Sequence, residues 1–213
     1  PINLTLPKNL WLKVTYTENA VKGDTSTSIT KDATLETGVV VKVPAFIKEG
    51  DIVSLDAGLI YKGYHSDAAR THGVGQISPA AQKLIDVTKA SFFEGIKYAK
   101  EGNYLFDISA AIGSYAEKFG YGVVRDLCGH GIGMNLHESP EIPNYVMNRR
   151  GVKLKAGMTL AIEPMINIGS WKVDWLDDEW TVVTRDHSLS AHYENTVLVT
   201  KDGPKILSMT ESI

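Results

Sequence analysis

The stretch from Val123 to Tyr145, VVRDLCGHGIGMNLHESPEIPNY, decides how the chain is read. Its two histidines, His130 and His137, stand among three glycines, Gly129, Gly131 and Gly133. Glycine lets a backbone turn tightly and approach closely whatever its neighbours face. Four carboxylates elsewhere are candidate companions: Asp56, Asp67, Glu163 and Glu194. Taken singly, each aspartate has a plain reading as a turn or strand-end residue. The glutamates are harder to dismiss. Glu163 ends the apolar run Leu160-Ala161-Ile162, and Glu194 opens Asn195-Thr196-Val197-Leu198-Val199. A charge in a buried strand is costly unless it is paired or bound to a metal.

Convergence of four carboxylates would raise one another's pKa. Two divalent ions would balance that charge, and a neutral His130 imidazole would complete the set. Oxygen-rich ligation favours Mn, Fe(II) or Co, with Zn as a further candidate. Two such ions about 3.5–4 Å apart can activate one hydroxide for amide hydrolysis. Spacing along the chain does not by itself establish that these residues meet.

Composition narrows the classes. The chain has 213 residues, 43% hydrophobic, and a net charge of −3. This length suits one large domain or two small ones. A slightly acidic balance supports no nucleic-acid partner. Cys128 is the only cysteine, so no intrachain disulfide forms and a reducing compartment is expected. No apolar run reaches the ~20 residues that span a bilayer, and Pro1 to Thr5 lacks the features of a secretory leader. The expectation is a cytoplasmic protein without a membrane partner.

Residues 1 to 48 read as β-rich. Trp11 to Tyr16 and Thr37 to Pro44 are strand-like, with a polar turn at Val21 to Ser28 between them. A small barrel or meander is expected. From Ile52 to Asp56 a buried-type strand follows, then a hairpin turning at Lys62-Gly63. Ser78-Pro79 starts a helix whose apolar residues recur to Ala99 before Gly102. A second helix is expected from about Asp107 to Phe119, with Ile108, Ile112, Tyr115 and Phe119 as its stripe. Strands are expected at Thr159–Glu163, Trp180–Thr184 and His192–Thr200. Two helices ahead of a β-rich half make an α+β pattern.

From Gly50 to about Ser208 the sequence resembles type I methionyl aminopeptidases. The motifs are G-D-I-V-S-L-D, Y-H-S-D, G-H-G-I-G followed by L-H-E-S-P, T-L-A-I-E-P-M and S-L-S-A-H-Y-E-N-T. The resemblance implies a pita-bread fold and metal ligands at Asp56, Asp67, His130, Glu163 and Glu194. It implies that Asp67 and Glu194 bridge two ions, Asp56 holds one, and His130 with Glu163 holds the other. Glu163 is implied as proton shuttle, and His137 as the group that polarises the scissile carbonyl. Trp180 and Leu136 are implied near the methionine pocket, Trp180 with a core aromatic as its competing reading. The substrate is then a peptide or nascent-chain N-terminus; ribosome association is left open. His65, His72 and His187 have weaker claims, and His192 is expected at most to flank the site. Cys128 is expected to be a small buried residue.

Residues 1–49 resemble the C-terminal part of elongation factor P, in L-P-K-N-L-W-L-K-V-T-Y-T-E-N-A-V-K-G-D-T and A-T-L-E-T-G-V-V-V-K-V-P-A-F-I-K-E-G-D. The expectation is a chimera joined at Lys48-Glu49-Gly50-Asp51: a β-rich segment over 1–48, and a truncated pita-bread catalytic domain over 49–213. The peptidase family's N-terminal helices, and a histidine that contacts substrate from them, have no counterpart before His65. Metal binding with reduced turnover is therefore expected. The alternatives are an Xaa-Pro peptidase of the same fold, and a non-catalytic hybrid with a scaffold or translation-factor-like binding role.

Overall fold

The computed structural model describes residues 14–17, 30–35, 38, 40–44, 47–177, 179 and 181–209. They divide into two units, residues 1–52 with 73–78, and residues 53–72 with 79–213. In the first unit β1 (Val14–Thr17), β2 (Thr30–Leu35) and β3 (Val40–Pro44) form a three-stranded antiparallel meander in that order. Lys31 and Ala33 are buried while Thr30 and Asp32 are exposed, the two-residue period of a strand with one covered face. Asp32 stands opposite Lys42 in the ladder and pairs with it. The central strand β2 was not expected. Its sequence, TKDATL, lacks the β-branched apolar run that marks the other two. Trp11 to Lys13 and the expected turn at Val21–Ser28 lie outside the described residues.

In the second unit β4 (Ile52–Asp56) pairs with β7 (Ala69–Gly73), and β5 (Leu59–Tyr61) with β6 (Tyr64–Ser66). The β5–β6 hairpin turns where expected. Lys62 and Gly63 both take left-handed backbone, φ 51° and 84°, the two-residue turn that suits twisted strands. Helix α1 runs Pro79–Ile96 and α2 runs Leu105–Glu117. The first ends before the expected Gly102 because Tyr98 and Ala99 bond back only three residues, to Gly95 and Ile96. The second begins ahead of Asp107, whose carboxylate accepts from the Tyr104 N–H at 2.9 Å and so closes the helix start. Ile108 and Ile112 are fully buried as expected, but Phe119 lies beyond the helix and is 39% exposed.

Ten short strands follow: β8 (Gly122–Val123), β9 (Gly129–Gly131), β10 (Glu138–Ile142), β11 (Thr159–Ile162), β12 (Met165–Asn167), β13 (Val173–Trp175), β14 (Val182–Thr184), β15 (Ser190–His192), β16 (Asn195–Val199) and β17 (Pro204–Ile206). The sheet that positions the site is antiparallel, in the order β10-β9-β11-β16-β17. One of its faces is apolar. Leu160, Ile162, Val197 and Val199 join Tyr193 and the helix residues Phe92, Ile96, Ile108 and Ile112 in one buried cluster. Each such side chain contributes about 1.5–3 kcal/mol on leaving water.

Candidate metal centre

Strand register alone assembles half of the site. Ala161 faces His130 on one side and Thr196 on the other, and Ile162 faces Asn195. Residues opposite each other share a face, and residues two apart along a strand share it again. His130, Ala161 and Thr196 therefore look the same way. Glu163 is two residues beyond Ala161, and Glu194 two before Thr196, so both continue that face. Asp67 comes from a distant part of the chain. Its N–H donates to Thr196 Oγ1 at 2.8 Å, and its carbonyl accepts from Thr196 N at 3.1 Å.

The outcome is a tight set. One ligand atom each from Asp67, His130 and Glu194 lie within 4.8 Å of one another, and all three residues are buried. Glu163 Oε1 is 3.6 Å from His130 Nε2. Asp56 adjoins Asp67, and its carboxyl is pushed above the usual range by burial, with Asp67 adding to the rise while His192 and His130 oppose it. Glu194 is only 1% exposed. Burial pushes its carboxyl up to about 10, aided by Glu163, Asp67 and Asp56 and opposed by Arg70. Carboxyl groups gathered at one place repel one another, and a bound cation would offset that repulsion.

His130 is oriented for ligation. Its Nδ1 is 2.9 Å from the carbonyl oxygen of Gly131. A carbonyl only accepts, so Nδ1 carries the proton and Nε2 offers its lone pair toward Glu163 and its neighbours. The glycines of the motif serve this placement differently from the expected tight turn. Gly129 and Gly131 lie in the extended strand β9. A Cβ on Gly131 would come under 3.0 Å from Ser139 O, and one on Gly129 under 3.0 Å from Ala161 O. Close approach of three strands, not chain reversal, is what requires glycine here.

A cavity of about 950 Å³ opens beside these groups, its lining including Asp56, Cys128, His130, His137, Glu163 and His192. His137 is exposed, its ring edge-on to His130 with centroids 4.3 Å apart. Leu136 is not in that lining and sits instead where a Cβ on Gly58 would be 3.5 Å from its Cδ1. Trp180 lies outside the described residues. Cys128 is half-buried, and burial raises its thiol with Glu141 adding, so it stays a protonated thiol rather than a nucleophile. His65 and His72 are half-buried, and His187 is an exposed turn residue with φ 57°.

Arg70 was not expected at the site. Arg70 donates to the carbonyls of Ala69 (2.7 Å) and Glu194 and to Asn195 Oδ1 (2.6 Å), with its guanidinium 4.0 Å from the Tyr193 ring centroid. It anchors the backbone that carries Glu194. His192, expected to flank the site, has its Nε2 3.4 Å from Glu163 Oε2. Its place two residues before Glu194 was the available signal; the neighbouring carboxylate came from another strand.

Acidic side chains and an imidazole thus gather on one face of an antiparallel sheet beside an open cavity, with a helical layer on the other face, a donor set that fits a divalent cation. The chain belongs to metallopeptidase family M24, whose sequence profile it matches over residues 16–201. That match begins ahead of the boundary expected near residue 49. A methionine aminopeptidase of Clostridium perfringens (strain 13 / Type A) is 58% identical over 163 residues, covering 76% of this chain and 66% of that protein. The chain thus spans just under two thirds of that relative. The crystal structure of methionine aminopeptidase from Thermotoga maritima superposes with a TM-score of 0.76 at 46% identity, over 80% of this chain and 68% of that one. Prolidase from Pyrococcus furiosus gives a TM-score of 0.62 at 28% identity, over 83% of this chain and 46% of that one. The pita-bread fold expected from the motifs is the fold of these proteins. Among the described residues no helix is long and apolar enough to cross a membrane.

Proposed function

We propose that this chain removes methionine from the N-terminus of peptides and nascent proteins, using two divalent metal ions. The carrying observation is the meeting of Asp67, His130 and Glu194 ligand atoms within 4.8 Å, with Glu163 and Asp56 beside them. Asp56, Asp67, His130, Glu163 and Glu194 would hold the ions, Asp67 and Glu194 serving both, Asp56 one, and His130 with Glu163 the other. This oxygen-rich donor set suits Mn, Fe or Co ahead of Zn. When bound, such ions lower the pKa of water and polarise a carbonyl.

The chain's own groups do the rest. Glu163 accepts a proton from the attacking water and passes it to the leaving amine. His137, exposed beside the cavity, donates to the carbonyl oxygen as negative charge develops there. Trp180 and Leu136 are assigned to the side of the methionine pocket. The division into a β-rich part over 1–48, resembling elongation factor P, and a catalytic part over 49–213 belongs to the same proposal, supported by the three-stranded meander of β1 to β3.

Methionine release from a Met-Ala-Ser peptide, with Mn or Co present and after chelation, tests the reading. Release is expected only with metal, and Glu163→Ala is expected to lower it about 10²- to 10⁴-fold. Cleavage of Xaa-Pro dipeptides in place of Met-Ala-Ser would transfer the assignment to the prolidase side of the family. No bound metal in either form would leave a scaffold role.

A further inference from the structure

One imidazole faces this cavity with no role so far. His192 ends β15, paired with Met165 of β12. Its side chain is 14% exposed, and Nε2 lies 3.4 Å from Glu163 Oε2. That nitrogen is buried and makes no hydrogen bond among the described residues. On the other side of the same carboxylate, His130 Nε2 lies 3.6 Å from Oε1. Glu163 is flanked by two imidazoles, one for each oxygen.

The two imidazoles differ in what fixes their protonated nitrogen. Nδ1 of His130 donates to the Gly131 carbonyl, which leaves its Nε2 as a lone pair. His192 has a buried Nε2 that lies 3.4 Å from a carboxylate oxygen, which can only accept. A buried polar nitrogen without a partner costs about 1–3 kcal/mol. A small shift of the ring that shortens and aligns this contact makes it a hydrogen bond. Carboxylates that ligate metals are held by such bonds on the oxygen that does not face the metal.

We propose that His192 is a positioning residue: its Nε2–H donates to Glu163 Oε2 and fixes that carboxylate with Oε1 presented to a cation shared with His130. This rests on the reading of Glu163 and His130 as cation ligands. His192 then sets metal affinity and the geometry of the proton-carrying carboxylate.

The test compares Mn(II) dissociation constants, read by EPR of the free ion, for the wild-type chain, His192→Ala, His192→Gln and Glu163→Ala. His192→Ala is expected to weaken binding about 10- to 100-fold. His192→Gln, whose amide N–H can reach the same oxygen, is expected to restore most of that loss. Wild-type affinity in His192→Ala, alongside weakened binding in Glu163→Ala, would overturn the proposal and leave the ligand assignment standing. Unchanged affinity in Glu163→Ala would overturn the ligand assignment itself. A second measurement needs no variant. Imidazole 15N NMR of the wild-type chain loaded with Zn(II) is expected to show His192 protonated on Nε2. An unprotonated Nε2, whether it ligates or accepts, would refute the donor role.

Discussion

Along β11 and β16, Leu160, Ile162, Val197 and Val199 turn one way, into the cluster built with α1 and α2. Ala161 and Thr196, with Glu163 and Glu194 just past the strand ends, turn the other way beside His130. Neighbouring residues of the same strands thus do opposite thermodynamic work. The apolar face stabilises the fold through burial. The acidic face crowds carboxyl groups whose mutual repulsion is relieved by a held proton or by a bound cation. A short stretch such as Leu160 to Glu163 can serve both ends because its period of two separates them.

That contrast can be broken at its most strained point first. The Glu194 carboxyl is raised from 4.5 to about 10 in the fold. Between those values the folded chain holds a proton that the unfolded chain has lost, so stability falls as pH rises through that window. In chelator, Glu194→Gln is therefore expected to be more stable than wild type, with a gap absent below about pH 4.5 and widening toward pH 10. Added Mn(II) should reverse the order by stabilising only the wild type. Thermal melts across pH, with and without metal, measure both effects; a gap independent of pH would refute the account of the acidic face.

On the apolar face the sign is the ordinary one. Phe92 is fully buried, with its ring centroid 5.2 Å from that of Tyr193. Phe92→Ala is expected to cost about 3–5 kcal/mol in urea unfolding, with Mn(II) affinity of the folded fraction unchanged. A large change in affinity would mean that the two faces are coupled.

Gly131→Ala probes the seam between them and should be smaller. Its Cβ would press on the Ser139 carbonyl. Overpacking of this kind costs about 1–3 kcal/mol, and because His130 precedes Gly131 in β9, metal affinity should fall too. Loss of stability with unaltered metal binding would show that β9 can shift without moving the imidazole.

Some of this was legible before any coordinates. The Lys62-Gly63 turn, the start of α1 at Ser78-Pro79 and the buried Ile108 and Ile112 follow from local chemistry that needs no distant partner. The carboxylates stood out because a charge such as Glu163 at the end of an apolar strand is costly without one. Other features were hidden. β2 is polar and becomes a strand only because β1 and β3 flank it. Phe119 fits the helical period of α2, yet the helix ends before it.

The sequence by itself determined which residue types were available for metal chemistry and where the chain alternates, because propensity and periodicity act over a few residues. Tertiary structure decided which of them meet. The register of β9, β11 and β16 sets His130, Glu163 and Glu194 on one face, and Thr196 ties Asp67 to it across 129 positions of sequence. It also decided that Gly129 and Gly131 are spacers between crowded strands, and that His192 stands against Glu163. Those outcomes depend on contacts between segments remote in the chain, and no local pattern encodes the distance between two side chains brought together only by folding.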